Sequence, residues 1–178
     1  RAFANTTTEN IQGFVGYSLA HNAVIVAFER HRRLSDLVVQ YQSDINVSAL
    51  SEMRLAHGQW RDIQHLPPNV CRHQSSSAAH FFSKYRIADI YVTGYFVGGA
   101  LATFAAFDIK ATNLGKVDQF HTYEQPRIGN KIFAAYSQTQ ILILRVVHYG
   151  DIFTPAYGTI DYCHGGWSIF YSENLQTF

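Results

Sequence analysis

Cysteine is too scarce in this chain to build its fold. Two cysteines in 178 residues cannot make a disulfide scaffold. Cys71 and Cys163 can form one bridge at most, and the sequence leaves open whether they meet. Charge is also scarce. Charged residues are 15% of the chain and the net charge is +1, so there is no electrostatic footprint for nucleic acid or an anionic membrane. No apolar run approaches the ~20 residues that a membrane-spanning helix requires. The nine histidines are scattered, with neither His-Glu-x-x-His nor paired Cys/His spacing, so no metal or other cofactor is expected. Most of them read as surface or satisfied core residues. Repeats and low-complexity stretches are missing too. What remains is a chain 47% apolar and long enough for a sizeable core, hence one globular domain over residues 1–178. Residues 1–10 are polar and read as a loose lead-in.

A further absence concerns one residue. Ile90-Tyr91-Val92-Thr93 is β-branched or aromatic and reads as a buried strand. Gly94 breaks it, Gly98 and Gly99 follow, and an Ala-rich helix begins with apolar residues at Leu101, Phe104, Ala105 and Ile109. A strand, a Gly-bounded turn and a helix make the frame of a nucleophile elbow, Gly-x-Ser-x-Gly. The middle residue of such a turn stands at a helix N-terminus, where N–H groups can bind an oxyanion. Here that residue is Phe96, which has no lone pair to attack with.

The stretch Thr93 to Thr103 resembles the elbow of the class 3 (fungal-type) triacylglycerol lipases, Thr-Gly-His-Ser-Leu-Gly-Gly-Ala-Leu-Ala. Tyr95 stands in place of His and Phe96 in place of Ser. Other segments follow in the same order. Phe28 to Asp36 is similar to the family's Phe-Arg-Gly-Thr-x-Ser-Leu-x-Asp, which puts His31 at the oxyanion residue; the alternative is an ordinary charged loop. Leu34 to Tyr41 has helical apolar spacing and stands where the family carries its lid. Ala56-His57-Gly58 resembles a segment whose His is structural. Tyr123-Glu124-Gln125-Pro126-Arg127-Ile128-Gly129-Asn130 matches the family's Tyr-Gly-Gln-Pro-Arg-Val-Gly-Asn except at Glu124. There Pro126 ends a strand, Gly129 is expected to permit a turn, and Asn130 can cap a helix.

The resemblance covers about Ile11 to Tyr171. It implies an α/β-hydrolase-like fold with a mostly parallel, doubly wound sheet and flanking helices, and strand–helix alternation independently gives the same α/β class. It also implies a remnant triad. Asp151, at the end of the strand Ile141–Tyr149, takes the place of the acid, and His164, before a final aromatic strand, takes that of the base. The backbone N–H of Val97 remains as an oxyanion donor. Three readings follow: a lipase-like domain without serine-esterase activity that binds lipid or an acyl ester, a weak hydrolase in which His164 activates water, and a structural or interaction module. Asn5-Thr6-Thr7 and Asn46-Val47-Ser48 are glycosylation sequons and favour a secreted or secretory location, leaving a cytoplasmic one open.

Overall fold

The computed structural model describes residues 3–8, 11–29, 44–46, 54–56, 83–84, 89–111, 113, 115–151 and 161–173. Residues 3–8, expected to be loose, form strand β1 (Phe3–Thr8). It pairs antiparallel with β2 (Ile11–Ser18), Phe3 opposite Gly16 and Thr8 opposite Ile11. Its run of threonines suits a pleated surface, and backbone pairing orders a segment that carries little apolar content. The chain turns at Asn22, whose φ of 47° is tolerated by asparagine, into β3 (Ala23–Phe28).

From β3 onward the sheet is parallel. β6 (Asp89–Tyr95), β7 (Val117–Tyr123), β9 (Leu144–His148) and β11 (Trp167–Tyr171) complete the order β1-β2-β3-β6-β7-β9-β11. β3, near-continuously apolar, lies inside the sheet, with Ala23, Val24, Val26 and Phe28 buried. Helix α1 (Val97–Ala111) follows β6, and α2 (Lys131–Gln140) lies between β7 and β9. These are the two long helices among the described residues. α1 is apolar nearly all round because it is covered on two sides. Leu101, Ala102, Ala106 and Ile109 pack on Val24, Val26, Ile90, Val92 and Phe120 of the sheet. Ala100 and Phe104 pack with Ile128 and Phe133 on the side of α2. The rings of Phe107 and Phe133 meet edge to face, 5.8 Å between centroids. At the far end Lys110 Nζ donates to the last carbonyl of α2, Gln140 O, at 2.7 Å, which places a cation at a helix C-terminus.

A second, small sheet was not foreseen in the sequence. β4 (Asp44–Asn46), β5 (Arg54–Ala56), β8 (Gly129–Asn130) and β10 (Tyr162–Cys163) pair antiparallel in the order β10-β8-β5-β4. Gly129, expected to permit a turn, is a paired strand residue and is not among the glycines of positive φ. Asn130 caps α2 as its position implies, its Oδ1 accepting from Phe133 N at 3.1 Å.

Candidate active site

Parallel strands deliver their following loops to one end of the sheet, and ligands of such sheets lie at the carboxyl ends. Tyr95 and Tyr123 mark that end on β6 and β7. They are register partners, and both are exposed. Between Tyr95 and α1 stands Phe96, with φ 56°. The left-handed region is uncommon for a bulky residue and costs about 1–3 kcal/mol. The elbow has therefore kept its strained turn although its occupant has changed. Its N–H donates to Tyr123 O at 2.8 Å, and its carbonyl accepts from Gly99 N at 2.9 Å and Ala100 N at 3.3 Å. The first helical N–H groups, of Val97 and Gly98, lack intrahelical acceptors by position. The Phe96 ring is not splayed into solvent: the residue is 3% exposed.

The glycines around it are required by close approach. A Cβ on Gly94 would strike the carbonyl of Gly98. One on Gly98 would lie 2.5 Å from Phe28 O and 2.7 Å from Glu29 O. The end of β3 thus touches the start of α1, so the segment holding His31 departs from beside the elbow. His31 and the expected lid, 34–41, lie outside the described residues, as do His57 and Cys71.

A buried polar relay backs the turn. Thr122 Oγ1 donates to Gln125 Oε1 at 2.6 Å, Gln125 Nε2 donates to Thr103 Oγ1 at 3.1 Å, and Thr103 Oγ1 donates to Gly99 O at 3.0 Å. Gln125 is 4% exposed, so these bonds are made away from water, where leaving one unmade is costly. The sequence reading assigned Gln125 and Thr103 no role. The signal was present in the matched Gln-Pro-Arg segment, but nothing in the chain order shows that Gln125 meets Thr103. Glu124, noted only as a departure from Gly, has φ 50°. Its N–H donates to Val146 O at 3.0 Å, and its carboxylate accepts from His148 N at 2.9 Å. A Gly would suit that backbone without strain.

Asp151 follows the carboxyl end of β9, after Gly150 at φ 77°, and its N–H donates to His148 O at 3.2 Å. It is partly exposed, at the same end of the sheet as the elbow. His164 is placed differently. It lies on the segment leading from β10 to the amino end of β11, which is pinned by Trp167 N donating to Ile143 O at 2.8 Å. The next residue, Gly165, packs so closely on α2 that a Cβ there would meet Ser137 Oγ and Ala134 O. His164 is half-buried, with its Nδ1 enclosed. The expected acid and base are thus attached to opposite ends of the β9–β11 ladder. β11 is also three strand positions from β6, about 14 Å across the sheet. This placement counts against His164 as a base over the elbow.

Arg145 holds that same approach to β11. Its Nε donates to Gly165 O at 2.8 Å and its Nη2 to Ser168 Oγ at 2.6 Å. Burial lowers its pKa from 12.5 to about 10, so it stays charged at neutral pH. Cys163 is a free thiol in the structure, contrary to a bridge with Cys71. Among the described residues no group of three or more His, Cys, Asp or Glu could hold a metal ion, and no helix is long and apolar enough to cross a membrane.

The geometry is matched by known proteins. The structure aligns with a fungal lipase–inhibitor complex at a TM-score of 0.81 and 20% identity, over 98% of this chain and 69% of that one. The Rhizomucor miehei triacylglyceride lipase aligns at 0.82 and 19%, over the same shares. These likenesses show the α/β-hydrolase fold. In sequence, Lipase ZK262.3 of Caenorhabditis elegans is 42% identical over 73 residues, 39% of this chain and 21% of that protein. Phospholipase A(1) DAD1, chloroplastic, of Arabidopsis thaliana is 34% identical over 71 residues, 39% of this chain and 16% of that protein. The matched stretch thus spans about a fifth of these curated relatives' length. The family model Lipase (class 3) matches residues 21–159. With the elbow turn, the sheet order and a match over most of its length, the chain belongs to the class 3 lipase family.

Proposed function

We propose that this domain binds acyl lipid in a lipase cleft and does not hydrolyse it through the elbow. One observation carries the reading: Phe96 occupies the nucleophile's turn in the strained backbone conformation, with its ring buried. A phenyl group cannot be acylated. Loss of a triad nucleophile leaves only residual rate, about a million-fold down in turnover. The lipase and phospholipase A(1) relatives support an acyl lipid as the ligand class. In this reading Asp151 is the retained acid position, Val97 N–H the retained oxyanion donor, His31 the altered oxyanion residue, and 34–41 the lid that meets the lipid interface.

The test is hydrolysis of a short-chain chromogenic ester by the parent and by Phe96→Ser, alongside binding of a fluorescent fatty acid. A silent parent that binds the fatty acid supports the proposal. Parent turnover equal to that of the serine variant overturns it. Activity confined to Phe96→Ser reveals a working base, and adding His164→Ala then reports whether His164 is that base. The reading in which His164 activates water for weak hydrolysis has less support, because His164 stands beside α2 at the amino end of β11. A silent parent that binds no lipid would leave a structural or interaction role. A secretory location is proposed on the sequons at Asn5 and Asn46. Glycosidase-sensitive mass on the secreted protein would support it, and its absence would count against it.

A further inference from the structure

β11 closes the main sheet on one side, and its outer edge is unusual in what it lacks. Trp167-Ser168-Ile169-Phe170-Tyr171 carries no charge, no proline and no glycine. Its register against β9 runs without a bulge from Trp167–Leu144 to Tyr171–His148. Proteins normally blunt an edge strand with charges, prolines or bulges, because its unpaired N–H and C=O groups are a template for another strand. The strand is also apolar at its surface, with Trp167 71% exposed and Phe170 40% exposed.

The direction of the free groups follows from the ladder. Trp167 N donates to Ile143 O, and Tyr149 N donates to Tyr171 O, both at 2.8 Å. In a parallel pair alternate residues of one strand face the partner. Trp167, Ile169 and Tyr171 therefore turn their backbone groups toward β9, and Ser168 and Phe170 turn theirs outward. Those outward groups have no partner among the described residues.

We propose that β11 is a self-association edge, pairing antiparallel with β11 of a second copy about a two-fold axis at Ile169. The strand is its own complement in that register. Ser168 and the partner's Phe170 exchange both backbone bonds, Phe170 and the partner's Ser168 do the same, and Ile169 faces the partner's Ile169 as a non-hydrogen-bonded pair. Trp167 comes opposite the partner's Tyr171, an aromatic cross-strand pair. With no charged residue on the strand, nothing repels when two copies meet. The two-fold arrangement closes on itself, whereas β11 pairing with β1 of another copy would propagate into a chain of molecules. A contact of five residues a side is small, so the dimer is weak and concentration-dependent.

Sedimentation equilibrium from about 1 μM to about 1 mM tests this. The parent is expected to pass from monomer to dimer across that range. Phe170→Pro removes an outward N–H and no bond to β9, so it should remain monomeric with an unchanged circular dichroism spectrum. Should that variant unfold, Ile169→Cys in a Cys71→Ser, Cys163→Ser background gives an independent reading. The two Cβ atoms across the axis would be about 4.5–5.5 Å apart, close enough to cross-link on oxidation. Leu142→Cys, exposed but off the edge, should not cross-link. A parent monomeric at the highest concentration with no Ile169→Cys cross-link overturns the proposal. So does a dimer that survives in folded Phe170→Pro, or assembly beyond the dimer.

Discussion

Phe96 concentrates two opposed effects in one residue. Its ring gains from burial, and its backbone pays for a left-handed conformation. Phe96→Ala should therefore cost about 3 kcal/mol in urea unfolding, by loss of the ring. Phe96→Gly should be more stable than the alanine variant by up to about 1 kcal/mol, since glycine carries no strain at φ 56°. An alanine variant as stable as the glycine one would show that the turn had relaxed. Gln125 belongs to the same scale. Gln125→Leu keeps the bulk but leaves the Thr122 hydroxyl without its acceptor, for a loss of about 1–3 kcal/mol measured the same way.

Among the elements, α1 and α2 could be placed in advance because helical spacing and glycine punctuation survive in the sequence. The boundaries agree closely: α2 begins at Lys131, immediately after its Asn130 cap. Asn130→Ala should lower stability by about 1 kcal/mol, read as a drop in thermal midpoint. The β4, β5, β8 and β10 sheet could not be read in the sequence. Its strands are two or three residues long and have no period to detect, and they exist through pairing across long separations. The approach to β11 depends on Arg145, whose fork spans Gly165 O and Ser168 Oγ. Lysine is a point charge with no such fork. Arg145→Lys should cost about 2–3 kcal/mol in denaturant titration, although it preserves charge.

At the scale of the whole molecule, the sheet order carries the elbow, the β7 loop and Asp151 to one end. The lipid reading predicts how the molecule responds to a ligand. With the Phe96 ring filling the acyl position, a medium-chain fatty acid should raise the melting temperature of Phe96→Ala by several degrees more than that of the parent. Binding to the folded state alone adds stability by mass action, about 2.7 kcal/mol at a hundredfold excess over Kd. Equal shifts would mean that the ring does not stand in the ligand's place.

By itself the sequence determined the α/β class, the strand–turn–helix of the elbow, the missing nucleophile and the strand end that bears Asp151. Each of these is a local pattern: a run of β-branched residues, a spacing of glycines, or one residue type at one position. Only the tertiary structure decided that the Phe96 ring is buried in a turn that stays strained, that Gln125 reaches Thr103 and Thr122, and that Glu124 occupies a left-handed position. It also separated His164 from Asp151. In chain order the two stand 13 residues apart, a spacing that suits a triad. A parallel strand, however, must be entered from its amino end, so the connection from β9 to β11 carries the chain back from the carboxyl end of the sheet and leaves His164 beside α2.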